Sequence, residues 1–189
     1  TLATIPAIIE KGAKWYLTLG SKDSPGTKIF TLSGDVKKPG YYEVEMGASL
    51  RTLIYDLGGG IKDGGTFKAA LLGGAAGTFV DQSVLDTPMS YDLLKEKGAV
   101  LGSGAIIVIS ESRSLHEMTR SILDFFKHES CGKCTPCRVG TSKAVKLMSK
   151  AEWDQPLMNE LSKTMMDASI CGLGQAASIP MNSVLKYFP

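Results

Sequence analysis

The chain has 189 residues, 43% of them hydrophobic and 21% charged, with a formal net charge of +2. That balance belongs to an ordinary globular protein of one or two domains and gives no warrant for a nucleic-acid or membrane-surface partner. No apolar run approaches the roughly 18 residues of a membrane-crossing helix, so direct membrane insertion is not expected.

Residues 1–27 read as a lead-in. Ile5 to Lys11 is short and helical in pattern, and Gly20 to Gly26 is a turn-rich loop. Lys28 to Ser33 is a strand ended by Gly34. A turn at Lys37-Lys38-Pro39-Gly40 leads into a second alternating strand, Tyr41 to Met46, so the two make a hairpin. Ser49 then opens a short helix with Leu50, Leu53, Ile54 and Leu57 on one stripe, stopped by Gly58-Gly59-Gly60.

Lys68 to Leu72 is a further strand, Tyr91 to Glu96 a short helix, and Ala105 to Ile109 an apolar strand of the kind buried on both faces. Gly64-Gly65 and Gly73-Gly74 with Gly77 have the look of turns. A hairpin, a helix across it and later strands completing the sheet describe a ubiquitin-like β-grasp domain over residues 28–110.

From Glu111 the period becomes helical. Ser114-Leu115-His116-Glu117 is a capping box for a helix whose apolar residues are Leu115, Met118, Ile122, Phe125 and Phe126. Thr135-Pro136 starts a second helix, with proline where its missing N–H costs little, and Val139, Val145, Leu147 and Met148 as its apolar residues. Leu157, Leu161 and Met165 mark a third, and Ser178-Ile179-Pro180 opens a fourth with Val184, Leu185 and Phe188. Met148, Met158, Met165, Met166 and Met181 are expected in the core. His116 reads as a surface or capping residue, and Trp15 and Trp153 have no evident partner. Residues 111–189 thus form an all-α four-helix bundle, and the fold class is α+β.

Four cysteines are all the chain has. Cys131, Cys134 and Cys137 form C-x-x-C-x-x-C, and Cys171 follows 34 positions after Cys137. Three thiolates on one tight loop can each reach a different iron of a cubane, and a fourth from elsewhere closes the cage, which is [4Fe–4S] ligation. Zinc is the nearest competitor, although structural zinc sites more often take two separated C-x2-C pairs. His128, three residues before Cys131, leaves a mixed His/Cys zinc site conceivable. Disulfides are a third option, but no secretory signal places the chain in an oxidising compartment. The spacing favours iron–sulfur.

In an up-down bundle the first-to-second and third-to-fourth connections lie at the same end, which would bring Cys171 to the other three without strain. Lys127, Lys133 and Arg138 could offset the negative charge of four thiolates. Gly132, Gly172 and Gly174 would let backbone amides approach sulfur. Reduced, metal-bound cysteines suit a cytoplasmic or matrix-like reducing compartment, and the cytoplasm is the location expected. There is no G-x-G-x-x-G, no P-loop and no evident hydrolytic constellation, so the chain has nothing obvious with which to accept a hydride.

The run Glu129-Ser-Cys-Gly-Lys-Cys-Thr-Pro-Cys-Arg138, with Ile170-Cys-Gly-Leu-Gly174 downstream, resembles the flavoprotein (51 kDa-type) subunit of respiratory complex I. It equally resembles the diaphorase subunits of NAD(P)-linked hydrogenases and formate dehydrogenases. Gly26 to Gly34 with Pro39-Gly40 resembles the start of that family's SLBB (soluble-ligand-binding β-grasp) domain, and Thr1 to Pro6 the segment just after its flavin domain. Gly172 to Ala177 looks closer to the soluble hydrogenase type and related bifurcating enzymes.

The resemblance implies that residues 1–27 lead in from an N-terminal domain holding FMN and NAD(P)H, neither bound by this segment alone. The flavin would take hydride and release electrons singly to a cluster on Cys131, Cys134, Cys137 and Cys171. The implied partners are a thioredoxin-like [2Fe–2S] subunit and a further iron–sulfur acceptor subunit of hydrogenase, formate dehydrogenase or respiratory type. A first residue of Thr1 rather than Met agrees with a piece of a longer polypeptide. The alternative from a different class is a metal-stapled docking module, with zinc or a non-redox cluster.

Overall fold

The computed structural model describes residues 2–150 and 152–188. They divide into two compact units, one of residues 1–74 and 80–111, the other of residues 75–79 and 112–189. Thr1, the first residue of the segment that resembles the stretch after a flavin domain, lies outside the described residues.

The first unit opens with α1 (Ile5–Lys11), which carries proline in its first turn, and α2 (Ala13–Tyr16). A two-residue ribbon, β1 (Gly20–Ser21) against β2 (Ser24–Pro25), occupies the turn-rich loop. The expected hairpin is β3 (Thr27–Gly34) antiparallel to β4 (Gly40–Glu45), with Phe30 opposite Tyr42. With β5 (Phe67–Leu72) and β7 (Ala105–Ser110) they make a sheet in the order β4-β3-β7-β5, and β6 (Thr78–Val80) is a further strand of three residues. β7 runs parallel to β3 and antiparallel to β5, which is why the last strand in sequence sits in the middle and carries only small and β-branched side chains. α3 (Tyr91–Glu96) is capped by Ser90, whose hydroxyl accepts from the Leu93 N–H.

The helix after Ser49 differs from the expectation in its winding. Residues 52–57 form π turns, and its end closes through the Gly58 and Gly60 N–H groups onto the Leu53 and Ile54 carbonyls. Leu50, Leu53 and Ile54 are wholly buried and join Phe30, Leu32, Ile106 and Val108 in one apolar cluster, whereas Leu57 is only partly buried against it.

The second unit holds α4 (Leu115–Glu129), α5 (Thr135–Met148), α6 (Gln155–Ala168), α7 (Gly172–Ala176) and α8 (Ile179–Tyr187). Ser114 Oγ accepts from the Glu117 N–H at 3.2 Å, and Asp154 caps α6 the same way through the Leu157 N–H. α7 has no counterpart in the sequence reading; Gly172-Leu-Gly-Gln has poor helix propensity, and the helix is only five residues long. Packing is close where α5 meets α6. A Cβ at Gly140 would lie 2.5 Å from Met165 Cγ, so only glycine admits that side chain.

Some residues face the other way from their helical-period assignment. Phe125, Val139, Leu157 and Met166 are exposed, while Met148, Met158, Met165 and Met181 are buried as expected. The helices cross by closing on small and hydroxyl side chains instead. Thr119 and Thr141 are buried and return their hydroxyls to the carbonyls of Leu115 and Cys137. Ser162 Oγ donates to Ser178 Oγ at 2.8 Å and accepts from Asn182 Nδ2 at 2.6 Å, which ties α6 to α8. The Phe79 N–H donates to the buried Ser183 Oγ, fixing the 75–79 segment within this unit. His116 is half-buried rather than on the surface: its ring stacks at 5.1 Å on Trp153, which therefore does have a partner.

Candidate metal centre

The loop between α4 and α5 is shaped by its own polar contacts. Gly132 takes φ +73°, a left-handed conformation open to glycine at little cost. Arg138, one turn into α5, donates from its guanidinium to the Gly132 carbonyl at 2.7 Å. Ser130 Oγ accepts from the Gly132 N–H at 3.3 Å and stands 3.2 Å from Cys137 Sγ. One serine and one arginine therefore hold the start of the cysteine loop against the first turn of the helix that carries Cys137.

Cys134 is the residue at which this loop meets the distant one. It is the N-cap of α5, where the helix leaves backbone N–H groups without partners. Its thiol is drawn below the usual range, first by the N–H of Ile170 and then by that of Cys137, with partial burial opposing. Ile170 immediately precedes Cys171, itself the N-cap of α7. Gly174 marks the same contact from the other side: a Cβ there would fall 2.8 Å from Cys137 Cβ and 2.4 Å from Ser169 Oγ. The Cys171 segment is thus packed directly on the C-x-x-C-x-x-C turn, as expected for connections at one end of a bundle.

The four thiols differ in depth. Cys137 is buried, Cys134 intermediate, and Cys131 and Cys171 exposed. Among the described residues no three His, Cys, Asp or Glu side chains converge tightly enough to grip one ion. His128 donates from Nδ1 to the Asp124 carbonyl one turn back on its own helix at 2.8 Å. Lys127 approaches Asp124 at 3.9 Å, and Lys133 is exposed. Arg138 serves the loop backbone. Gly172 has open space at its Cβ position, so the close approach expected of it falls to Gly174 alone.

Two serines join the site that the cysteine spacing does not announce. Besides Ser130, Ser169 is buried with its Oγ lacking a hydrogen-bond partner among the described residues. It lies near enough to Cys134 to help draw down the thiol, although its geometry falls short of a formed hydrogen bond. The only signal in the sequence is a serine just ahead of each cysteine segment, at Ser130-Cys131 and Ser169-Ile170-Cys171.

These features fit an anionic sulfur-ligated cluster. The Cys134 sulfur at the α5 N-cap lies beside the N–H groups of Ile170 and Cys137, the orphaned Ser169 hydroxyl lies near it, and Gly174 leaves the space a side chain would fill. No described helix is long and apolar enough to cross a membrane.

Comparison with known proteins agrees with this geometry. Residues 117–189 match the model of the NADH-ubiquinone oxidoreductase-F iron–sulfur binding region, and residues 29–76 match that of the SLBB domain. The chain is 38% identical over its whole length to an NADH-quinone oxidoreductase F subunit of Rhizobium meliloti (strain 1021), covering 46% of that protein. It is also 38% identical to the HndC subunit of the NADP-reducing hydrogenase of Solidesulfovibrio fructosivorans, covering 40% of it. The chain thus spans less than half the length of these relatives. Among solved structures, an NAD+-reducing [NiFe]-hydrogenase in the H2-reduced state superposes on 100% of the chain and 33% of its own, with a TM-score of 0.86 and 32% identity. The chain accordingly joins an SLBB domain to an F-type iron–sulfur binding region and is homologous to NADH-quinone oxidoreductase F subunits and hydrogenase diaphorase subunits.

Proposed function

We propose that Cys131, Cys134, Cys137 and Cys171 ligate a [4Fe–4S] cluster, and that the chain is the electron-transfer segment of an NAD(P)H-oxidising flavoprotein subunit. Such a cluster supplies one-electron chemistry. The observation that carries the reading is the junction at Cys134, whose sulfur meets the backbone of the Cys171 segment. In this reading the N–H groups of Ile170 and Cys137 serve the Cys134 sulfur, Gly132 and Arg138 fix the loop, and residues 28–110 and 111–189 are its β-grasp and cluster-binding domains. FMN and NAD(P)H belong to the intact subunit and are not bound by this segment alone. Single electrons leave toward a thioredoxin-like [2Fe–2S] subunit and a further iron–sulfur acceptor. The exposure of Cys131 and Cys171 supports an exit at that edge. A cytoplasmic location follows from the need to keep the thiols reduced.

Anaerobic purification should yield a brown protein with about four irons per chain and a reduced-state electron paramagnetic resonance signal, as a cubane requires. Cys171→Ser should abolish or strongly perturb that signal. A colourless protein with one zinc per chain, or a spectrum unchanged by Cys171→Ser, would refute the assignment.

A further inference from the structure

We propose that the side-chain hydroxyls of Ser130 and Ser169 donate hydrogen bonds to sulfur at the Cys137 and Cys134 corners of the cluster, and so raise its reduction potential. The inference rests on the ligand assignment proposed above. Ser130 supplies the clearest geometry. Its oxygen already accepts the Gly132 N–H, and it stands 3.2 Å from Cys137 Sγ. In a free thiol either atom could donate, but a cysteine bound to iron is a thiolate and carries no proton. The hydroxyl must then be the donor. The relay runs from the Gly132 N–H to the Ser130 O–H to sulfur, each bond polarising the next.

Ser169 reaches the same centre from the opposite segment. Its hydroxyl is buried, has no partner among the described residues, and lies beside the Gly174 backbone, which Cys137 Cβ also approaches. A buried hydroxyl left unpaired is costly, and the Cys134 sulfur, close enough for Ser169 to help draw down its thiol, is an acceptor for it. Neither side chain needs to move far. The two serines come from different loops, so each tests the idea separately.

The direction follows from charge. Reduction adds one negative charge to a centre already anionic, and a fixed donor stabilises the more negative state more strongly. Removing one donor should therefore lower the reduced-to-oxidised ratio at fixed potential by about three- to tenfold, tenfold being about 59 mV for one electron. These are positioning residues; neither exchanges electrons itself.

The test is an anaerobic potentiometric titration of the cluster-loaded protein, followed by electron paramagnetic resonance, for the wild type and for Ser130→Ala, Ser169→Ala and Ser130→Thr. Both alanine variants should shift to lower potential with iron content unchanged, and threonine, which keeps the hydroxyl, should restore the Ser130 value. Unmoved midpoints in loaded variants would overturn the inference while leaving the ligand assignment standing. Absence of any cluster in the wild type would instead overturn the reading beneath it. Should an alanine variant fail to take up iron, the wild type decides. Electron–nuclear double resonance in D2O should show exchangeable protons at hydroxyl distance from the cluster, and their absence would refute the donors.

Discussion

The sheet unit packs Phe30, Leu32, Leu53, Ile54 and Ile106 into one continuous apolar cluster, whereas the helical unit relies on smaller ones. One of these, beside the cysteine loops, has Phe126, Met165 and Ala177 as its buried members among the described residues. The helical unit also buries hydroxyls, at Thr119, Thr141, Ser162, Ser169, Ser178 and Ser183. Hydrophobic burial scales with apolar area, so the sheet unit holds itself together while the cysteine end of the helices has less to do so with. What the second unit lacks in apolar packing a bound cluster would supply, because a group that binds only the folded form adds its binding free energy to stability.

The largest expected effect separates the units. Stripping iron and sulfide should destabilise the helical unit by about 4 kcal/mol or more, the value for binding a thousandfold above the dissociation constant. Amide exchange should rise over residues 130–137 and 169–177 and stay unchanged over residues 28–72. Uniform loosening of both units would break the comparison. The converse is a deletion inside the sheet unit. Leu53 is wholly buried, and Leu53→Ala should cost about 2–5 kcal/mol in chemical denaturation with iron content preserved.

Gly174→Ala should act more weakly than either. The added methyl meets Ser169 Oγ and Cys137 Cβ well inside van der Waals range, and overpacking of this kind costs about 1–3 kcal/mol. Because the strain falls where the two cysteine segments meet, iron content should drop more than the melting temperature of the sheet unit. Gly172→Ala, with open space at the same atom, should do neither.

How far the sequence reached follows the same division. The hairpin, α3, β7 and the starts of α4, α5 and α8 were legible because each carries a local signal: a Pro-Gly turn, a capping serine, a first-turn proline. The spacing predicted that the Cys171 segment would meet the C-x-x-C-x-x-C loop, and Gly174 packs against Cys137 there. Phe125, Val139, Leu157 and Met166 were misplaced because helical period gives a stripe but not which edge of it a neighbour covers. Gly140 and Ser162, which do line the α5–α6 and α6–α8 contacts, are not apolar residues and carry no such signal. β6 is three residues long, and the π winding at residues 52–57 depends on the turn that receives it. The pairing of His116 with Trp153 joins residues 37 apart and has no local mark.

The smallest effect is expected at Arg51 and Asp86 in the sheet unit. The guanidinium holds the carboxylate with two hydrogen bonds, at 2.6 and 2.9 Å, yet the side chains are 49% and 73% exposed. Geometry this good still earns little in water, where solvent and salt screen the pair. Hydrogen bonding from Arg51 holds the Asp86 carboxyl below its ordinary value. Any stability it contributes is therefore fully present above the unfolded carboxylate range and is lost as pH falls through the lowered folded value. Asp86→Asn should leave the melting temperature at neutral pH within error and flatten only the acidic limb of the stability curve. A clear loss at neutral pH would mean that a surface ion pair, rather than the apolar cluster, carries weight in this unit.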